Sequence, residues 1–160
     1  MRTCKLNELS QGEVGLVDIG GRSACFRLSA ENSDARTLVL SNSTHSTRRS
    51  EVFSLTLSNV DSRNWPTTLA FNDAEFSPDI SSLCQSFDLP ERALVPSSDG
   101  NLRVAVCANG WSMALLDPAT GNLFDHDQSG SNWYFSRWAV TVPSPVTAGR
   151  REPIFGVEIA

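Results

Sequence analysis

The chain has 160 residues, of which 40% are hydrophobic and 19% are charged, ordinary values for a folded globular protein. Its 13 basic and 18 acidic side chains give a formal net charge of -5 and form no basic face, so we expect no nucleic-acid partner. The length fits a single β-rich domain over residues 1–160 with its own core.

The amino-terminal residues and the four cysteines bear on the cellular compartment. Residues 1–10 lack the apolar run of a signal peptide, and no stretch reaches the roughly 20 apolar residues that cross a bilayer. The cysteines are too widely spaced for a paired zinc or redox motif: Cys4, Cys25, Cys84 and Cys107. We therefore expect a cytoplasmic protein with reduced thiols and no membrane partner.

Apolar and polar residues alternate along the first half of the chain, a pattern typical of strands with one buried face. Two such runs, Val14–Ile19 and Ser23–Leu28, flank Gly20 and Gly21, which tolerate the positive φ of a tight turn. The sequence therefore predicts a β-hairpin at this pair. Further strands are predicted at Thr37–Leu40, Glu51–Val60 and Thr67–Phe71.

One segment departs from this alternation. Four of its residues recur at the spacing of one helix face: Ile80, Leu83, Cys84 and Phe87. Ser77, Pro78 and Asp79 precede them as a helix-start signal, and Pro90 follows as a stop. The pattern predicts one short helix, of about ten residues, packed against the sheet.

Strand signals resume after residue 100. Asn109 and Gly110 tolerate positive φ and predict a hairpin between Leu102–Cys107 and Trp111–Leu116. Residues 117–121 predict a second turn, with Asp117 bonding forward and Gly121 in the left-handed position. The remaining strands are predicted at Asn122–Phe124, Trp133–Val142 and Ile154–Ile159.

These elements together predict an all-β fold, an antiparallel β-sandwich or curled barrel of about eight strands with one short helix. An α+β arrangement, with the helix packed on one sheet face, is the alternative. The last strand nearly reaches the carboxyl terminus, so it could pair with the edge of another sheet.

The candidate binding residues are four aromatic side chains in the second half of the chain: Trp111, Trp133, Tyr134 and Trp138. Such side chains stack on sugar rings and anchor protein interfaces, but large aromatics also dominate cores. The binding interpretation requires at least two of them to be exposed together. The alternative is that most of them are core residues.

Asp125, His126 and Asp127 place two carboxylates beside an imidazole, a set that could bind a divalent metal or orient a general base. Adjacent residues of an extended chain point in opposite directions, so a metal site requires a sharp turn and a ligand from elsewhere. A solvated acidic loop is the alternative interpretation.

The functional expectation follows from what these motifs lack. No glycine-rich phosphate loop is present, so no cofactor is expected. We expect a non-catalytic binding or assembly protein rather than an enzyme, one that docks on another protein or on copies of itself. A viral or phage structural component and a small inhibitor of a bacterial defence enzyme fit equally well. A carbohydrate-binding β-sandwich module and a small metal-assisted hydrolase are the alternatives.

Overall fold

The computed structural model describes residues 1–18, 21–29, 35–42, 50–55, 65–108, 112–126 and 132–159. Within these ranges the chain forms short β-strands almost throughout, arranged in three antiparallel sheets. The all-β fold that the two-residue periodicity predicts is therefore confirmed. The strands are shorter and more numerous than expected. Fifteen are described, whereas the sequence predicts about eight.

The first sheet contains six strands: β1 (Arg2–Lys5), β2 (Val14–Asp18), β3 (Arg22–Arg27), β4 (Ala35–Ser41), β5 (Ser50–Leu55) and β6 (Thr67–Phe71). Their spatial order is β1-β6-β2-β3-β4-β5. The predicted β2–β3 hairpin is confirmed, since Asp18 pairs with Arg22 and the Gly21 N–H donates to the Asp18 carboxylate at 3.1 Å. Gly20 lies outside the described residues.

The other two sheets come from the rest of the chain. The third sheet, in the order β15-β14-β7, consists of β7 (Glu75–Pro78), β14 (Arg137–Pro143) and β15 (Arg151–Glu158). The second sheet contains β8 (Leu83–Ser86), β9 (Leu94–Pro96), β10 (Leu102–Ala108), β11 (Ser112–Leu116), β12 (Leu123–Asp125) and β13 (Asn132–Phe135). Its order is β12-β11-β10-β9-β13-β8.

Both predicted turns of the second sheet join strands that pair as expected. Ala108 lies opposite Ser112 in the β10–β11 hairpin, whose turn residues 109–111 lie outside the described ranges. In the next turn the Gly121 N–H donates to the Asp117 carbonyl at 2.8 Å, and Gly121 has a φ of 73°. The Asp117 carboxylate accepts from the Ala119 N–H at 2.9 Å, the forward bond that the sequence predicts.

The prediction of a short helix between Ser77 and Pro90 is wrong. Helical structure among the described residues is confined to two single 3₁₀ turns, Leu6–Glu8 and Ile80–Ser82. Leu83 and Cys84 belong to β8, which ends at Ser86, and Phe87 follows that strand. The α+β alternative required that helix and is excluded with it. Neither 3₁₀ turn is long or apolar enough to cross a bilayer, and the described ranges contain no other helix.

Non-local pairing explains why the helix does not form. The Asp79 carboxylate accepts a hydrogen bond from the Ser81 N–H at 2.9 Å and caps a single turn, whereas Ser77, the predicted cap, belongs to β7. The turn stops because the Ser82 carbonyl accepts from the Ser136 N–H at 3.1 Å, which aligns the chain with β13. The resulting strand places Leu83 opposite a residue of β13, and this pairing overrides the local helical spacing.

The predicted strand Trp133–Val142 is two strands in different sheets. The chain bends at Ser136, between β13 and β14. The Ser136 carbonyl accepts from the Ile159 N–H at 2.9 Å while its N–H is bonded to Ser82, so this residue fixes the junction between the second and third sheets. Strands β1, β7, β8 and β9 have no counterpart in the sequence prediction.

The largest core cluster draws on all three sheets and includes Phe26, Leu94 and Trp138. Trp138 is 3% exposed, and its indole N–H donates to the Arg92 carbonyl at 2.8 Å. A second cluster under the first sheet contains Cys25, whose thiol pKa is raised to about 12 by burial. One face of the second sheet therefore packs on the main core, and the candidate site lies where that face reaches the edge of the sheet.

Candidate binding edge of the second sheet

A row of directly paired apolar residues crosses all six strands of the second sheet. From edge to edge this core-facing row contains Leu123, Leu116, Val104, Leu94, Phe135 and Leu83. Directly opposite residues of an antiparallel pair point to the same face of the sheet. The four inner members are buried in the main core, whereas Leu83 is 43% exposed and Leu123 is 39% exposed. The apolar face of the sheet therefore extends beyond the core at both edges.

More apolar side chains are exposed around the Leu83 end of the row. Trp133 lies two residues from Phe135 on β13, opposite Gln85, and is 51% exposed. Two further side chains just outside β8 are exposed to about three-quarters, Ile80 at 72% and Phe87 at 77%. We call these four residues the β8 patch: Ile80, Leu83, Phe87 and Trp133. Exposed apolar side chains that gather at one edge, unlike scattered ones, are typical of binding surfaces.

The backbone of β8 has a defined outer side. Because the Ser82 carbonyl bonds to Ser136 on β13, the alternation of an antiparallel ladder turns the backbone groups of Cys84 and Ser86 toward β13 as well. The Leu83 carbonyl then points away from β13, while its N–H donates back to the Ile80 carbonyl in the 3₁₀ turn. β8 is the last strand of its sheet in the described structure, so this outer side is where another extended chain could add hydrogen bonds.

The opposite edge of the same sheet is less suited to docking. β12 has only three residues and ends on the exposed carboxylate of Asp125. The guanidinium of Arg103 lies over the ring of Phe124, 3.9 Å from its centroid, and it pairs with Asp99 at 2.8 Å. The protein's own charged groups thus cover part of the apolar surface at this edge, which makes β12 a useful internal control for β8.

The four predicted aromatic residues do not form one surface. Trp133 is exposed, whereas Trp138 is a core residue, so its assignment as a binding residue is wrong. Tyr134 points to the opposite face from Trp133 and packs against a small cluster around Leu89. Burial there, together with the nearby Cys84, raises the pKa of Tyr134. Trp111 lies outside the described residues.

The predicted metal ligands are only partly described. Asp125 is exposed at the end of β12, and His126 is half-buried with its Nε2 3.4 Å from the Asn132 side-chain nitrogen. Asp127 lies outside the described ranges. Within those ranges no three potential ligands among His, Cys, Asp and Glu come together. The metal-site hypothesis, which needs Asp127, stays a prediction.

Comparison with known proteins gives no relative from which a function could be inferred. No protein-family model, no curated protein and no solved structure matches the chain.

Proposed function

We propose that this protein is a non-catalytic binding or assembly protein that docks on a protein surface through the outer edge of β8. The observation that supports this most is the core-facing row, whose buried members continue at the edge into the exposed Leu83, next to Trp133. A strand added to β8 would extend the sheet and place its own side chains beside Leu83 on the same face. Full burial of a leucine-sized side chain contributes about 1.5–3 kcal/mol, so a few such contacts suffice for specific association.

Two kinds of protein need such an edge. A viral or phage structural component would pair it with other subunits of an assembly, and an inhibitor of a bacterial defence enzyme would pair it with its target. Both would present main-chain hydrogen bonds for affinity and apolar pockets for specificity. The two differ in whether the occupant of β8 is a copy of this chain or another polypeptide.

Site-specific photo-crosslinking in expressing cells tests the proposal. A photo-reactive phenylalanine analogue at position 87, which is 77% exposed, should give discrete adducts with a polypeptide docked on β8. The same analogue at position 124, on the opposite edge of the sheet, is the matched control and should give none of these adducts. Adding Leu83→Asp should reduce the adducts at least about tenfold, because docking would then bury a carboxylate.

Two crosslinking outcomes would contradict the proposal. One is the absence of adducts from position 87 with any polypeptide, including a second copy of the chain. The other is the same set of adducts from positions 87 and 124, because crosslinking that is the same at both edges of the sheet does not report docking at β8.

The exposure of Trp133 also supports a second candidate, carbohydrate binding, because an exposed indole face stacks on sugar rings. Titration with neutral oligosaccharides should then change the tryptophan fluorescence of the wild-type protein. The Trp133→Ala variant should lose this change, because Trp133 is the exposed indole of the described residues, whereas Trp65 is half-buried and Trp138 is buried. A wild-type signal that does not respond to any oligosaccharide would remove this candidate.

A further inference from the structure

β8 differs in composition from the other edge strands of the three described sheets. Proteins prevent unwanted pairing at sheet edges with charged side chains, prolines and bulges. Each of the other five edges carries at least one charge: Arg2 and Lys5 in β1, Glu51 in β5, Glu75 in β7, Asp125 in β12, and Arg151, Glu152 and Glu158 in β15. β7 and β15 also contain Pro78 and Pro153. β8, with the sequence LCQS, has neither a charge nor a proline.

We propose that a second copy of this chain pairs with β8, each strand running antiparallel to its equivalent about a two-fold axis beside Gln85. The inference rests on the proposed function and names the partner of the same edge. Such an isologous pairing joins two six-stranded sheets into one continuous sheet and uses the same edge in both copies.

The ladder geometry restricts the register of this pairing. Cys84 and Ser86 turn their backbone groups toward β13, so odd-numbered residues must lie opposite odd-numbered residues across the new interface. With the axis beside Gln85, Leu83 of one copy lies opposite Phe87 of the other, and the pair occurs twice. This register places exposed apolar residues against each other, which is the factor that fixes strand register.

The exposed area of the patch matches the size of a small interface. The exposed parts of the two aromatic and two aliphatic side chains of the β8 patch amount to about 500 Å² in each copy. A dimer that covered the whole patch would bury about 1,000 Å² in total, close to the lower limit for a specific interface. We expect a weak but specific dimer, with association in the micromolar range.

The charge distribution along the edge is compatible with self-association. No charged residue occurs from Ile80 to Phe87, so no like charges lie opposite each other in the pairing. The net charge of -5 on each copy opposes association only at longer range, where salt screens it within about 8 Å. Added salt should therefore strengthen the dimer.

A designed disulfide tests the register. With the axis beside Gln85, Cys84 of one copy lies opposite Ser86 of the other as a non-hydrogen-bonded pair, with Cα atoms about 4.5 Å apart. This separation is within the range of disulfide bonds. Oxidised glutathione, which takes up the two electrons, should therefore crosslink the Ser86→Cys variant into a dimer through Cys84. A crosslinked wild-type protein, with Cys84 joined to Cys84, would overturn the register.

Sedimentation equilibrium of the full chain tests the dimer itself. The wild-type protein should dimerise, Leu83→Asp should weaken association at least about tenfold, and Leu123→Asp should leave it unchanged. Leu123 is the matched control because it occupies the other end of the core-facing row with similar exposure. Phe87→Asp is a second variant that should weaken association. Because the Phe87 side chain is 77% exposed, its replacement should not affect folding.

The outcomes separate this inference from the proposed function. A wild-type protein that stays monomeric up to about 1 mM, where weak association would be visible, overturns the second copy as the partner. If position 87 still forms adducts with other polypeptides, the proposed function stands with a different occupant. If those adducts are absent too, both fail. Equal weakening by Leu123→Asp and Leu83→Asp also overturns the inference.

Discussion

Replacing Gly121 with alanine is expected to lower the free energy of unfolding by about 3 kcal/mol or more. Gly121 has a φ of 73°, and a Cβ atom there would overlap the carbonyl oxygen of Arg27 and lie 2.9 Å from the Ser29 nitrogen. The Gly121 carbonyl also accepts a hydrogen bond from the Ser29 N–H at 2.8 Å. The turn before β12 therefore rests directly on the backbone that follows β3, which cannot move away without loss of this bond.

Gly100→Ala is the matched control for Gly121→Ala. Gly100 has a φ of 85°, yet no atom lies within 4 Å of the position its Cβ would take. Its replacement adds only the strain of a left-handed alanine, about 1 kcal/mol. Urea unfolding followed by circular dichroism gives both values. Equal losses for the two variants would show that the close approach at Gly121 does not matter for stability.

The second large effect is expected at Trp138. Truncation by Trp138→Ala should destabilise the protein by about 3–5 kcal/mol, because it leaves a cavity in the main core. The indole packs between the rings of Phe76 and Phe155, with centroid distances of 5.5 Å and 6.2 Å. The substitution also removes the indole N–H that donates a hydrogen bond to the Arg92 carbonyl in the same core region.

Trp133→Ala makes the same chemical change at a site that is 51% exposed. We expect its cost in unfolding free energy to be about 0.5 kcal/mol, typical of a surface substitution. Thermal or urea unfolding of the two variants measures the difference directly. Similar losses would contradict the assignment of Trp138 to the core and of Trp133 to the surface.

Local turn chemistry predicts those parts of the fold whose partners are close in sequence. The Asp117–Gly121 turn forms as expected because its hydrogen bonds join residues within the turn itself. The β2–β3 hairpin pairs for the same reason, with strands separated by a few turn residues. Local sequence is sufficient where the interacting residues are neighbours along the chain.

The β8 region shows why the rest could not be predicted. Its apolar residues match a helical spacing, and nothing near them in sequence indicates that Leu83 pairs with Phe135 or that Ser82 bonds to Ser136. The four residues of β8 carry no strand signal of their own, because two apolar residues, Leu83 and Cys84, are followed by two polar ones. Only the pairing with β13 shows that this segment is a strand.

The candidate site was predictable only in part for the same reason. Trp133 is identifiable from sequence as an aromatic binding candidate, but its neighbour on the surface is Leu83 and not Trp138. Predicting that neighbour requires the register between β8 and β13. The core position of Trp138 likewise depends on the bend at Ser136, which transfers the chain to the third sheet.

Hydroxyl-radical footprinting of the wild-type protein tests most directly whether the apolar face of the second sheet emerges from the core at β8. In dilute protein we predict strong oxidation of Leu83, Phe87 and Trp133, and protection of Leu94 and Trp138. On association the first three should become protected together while Leu123 does not change. If Leu83 and Trp133 were as protected as Leu94 in dilute protein, the edge would be covered within the chain itself and could not be a docking surface.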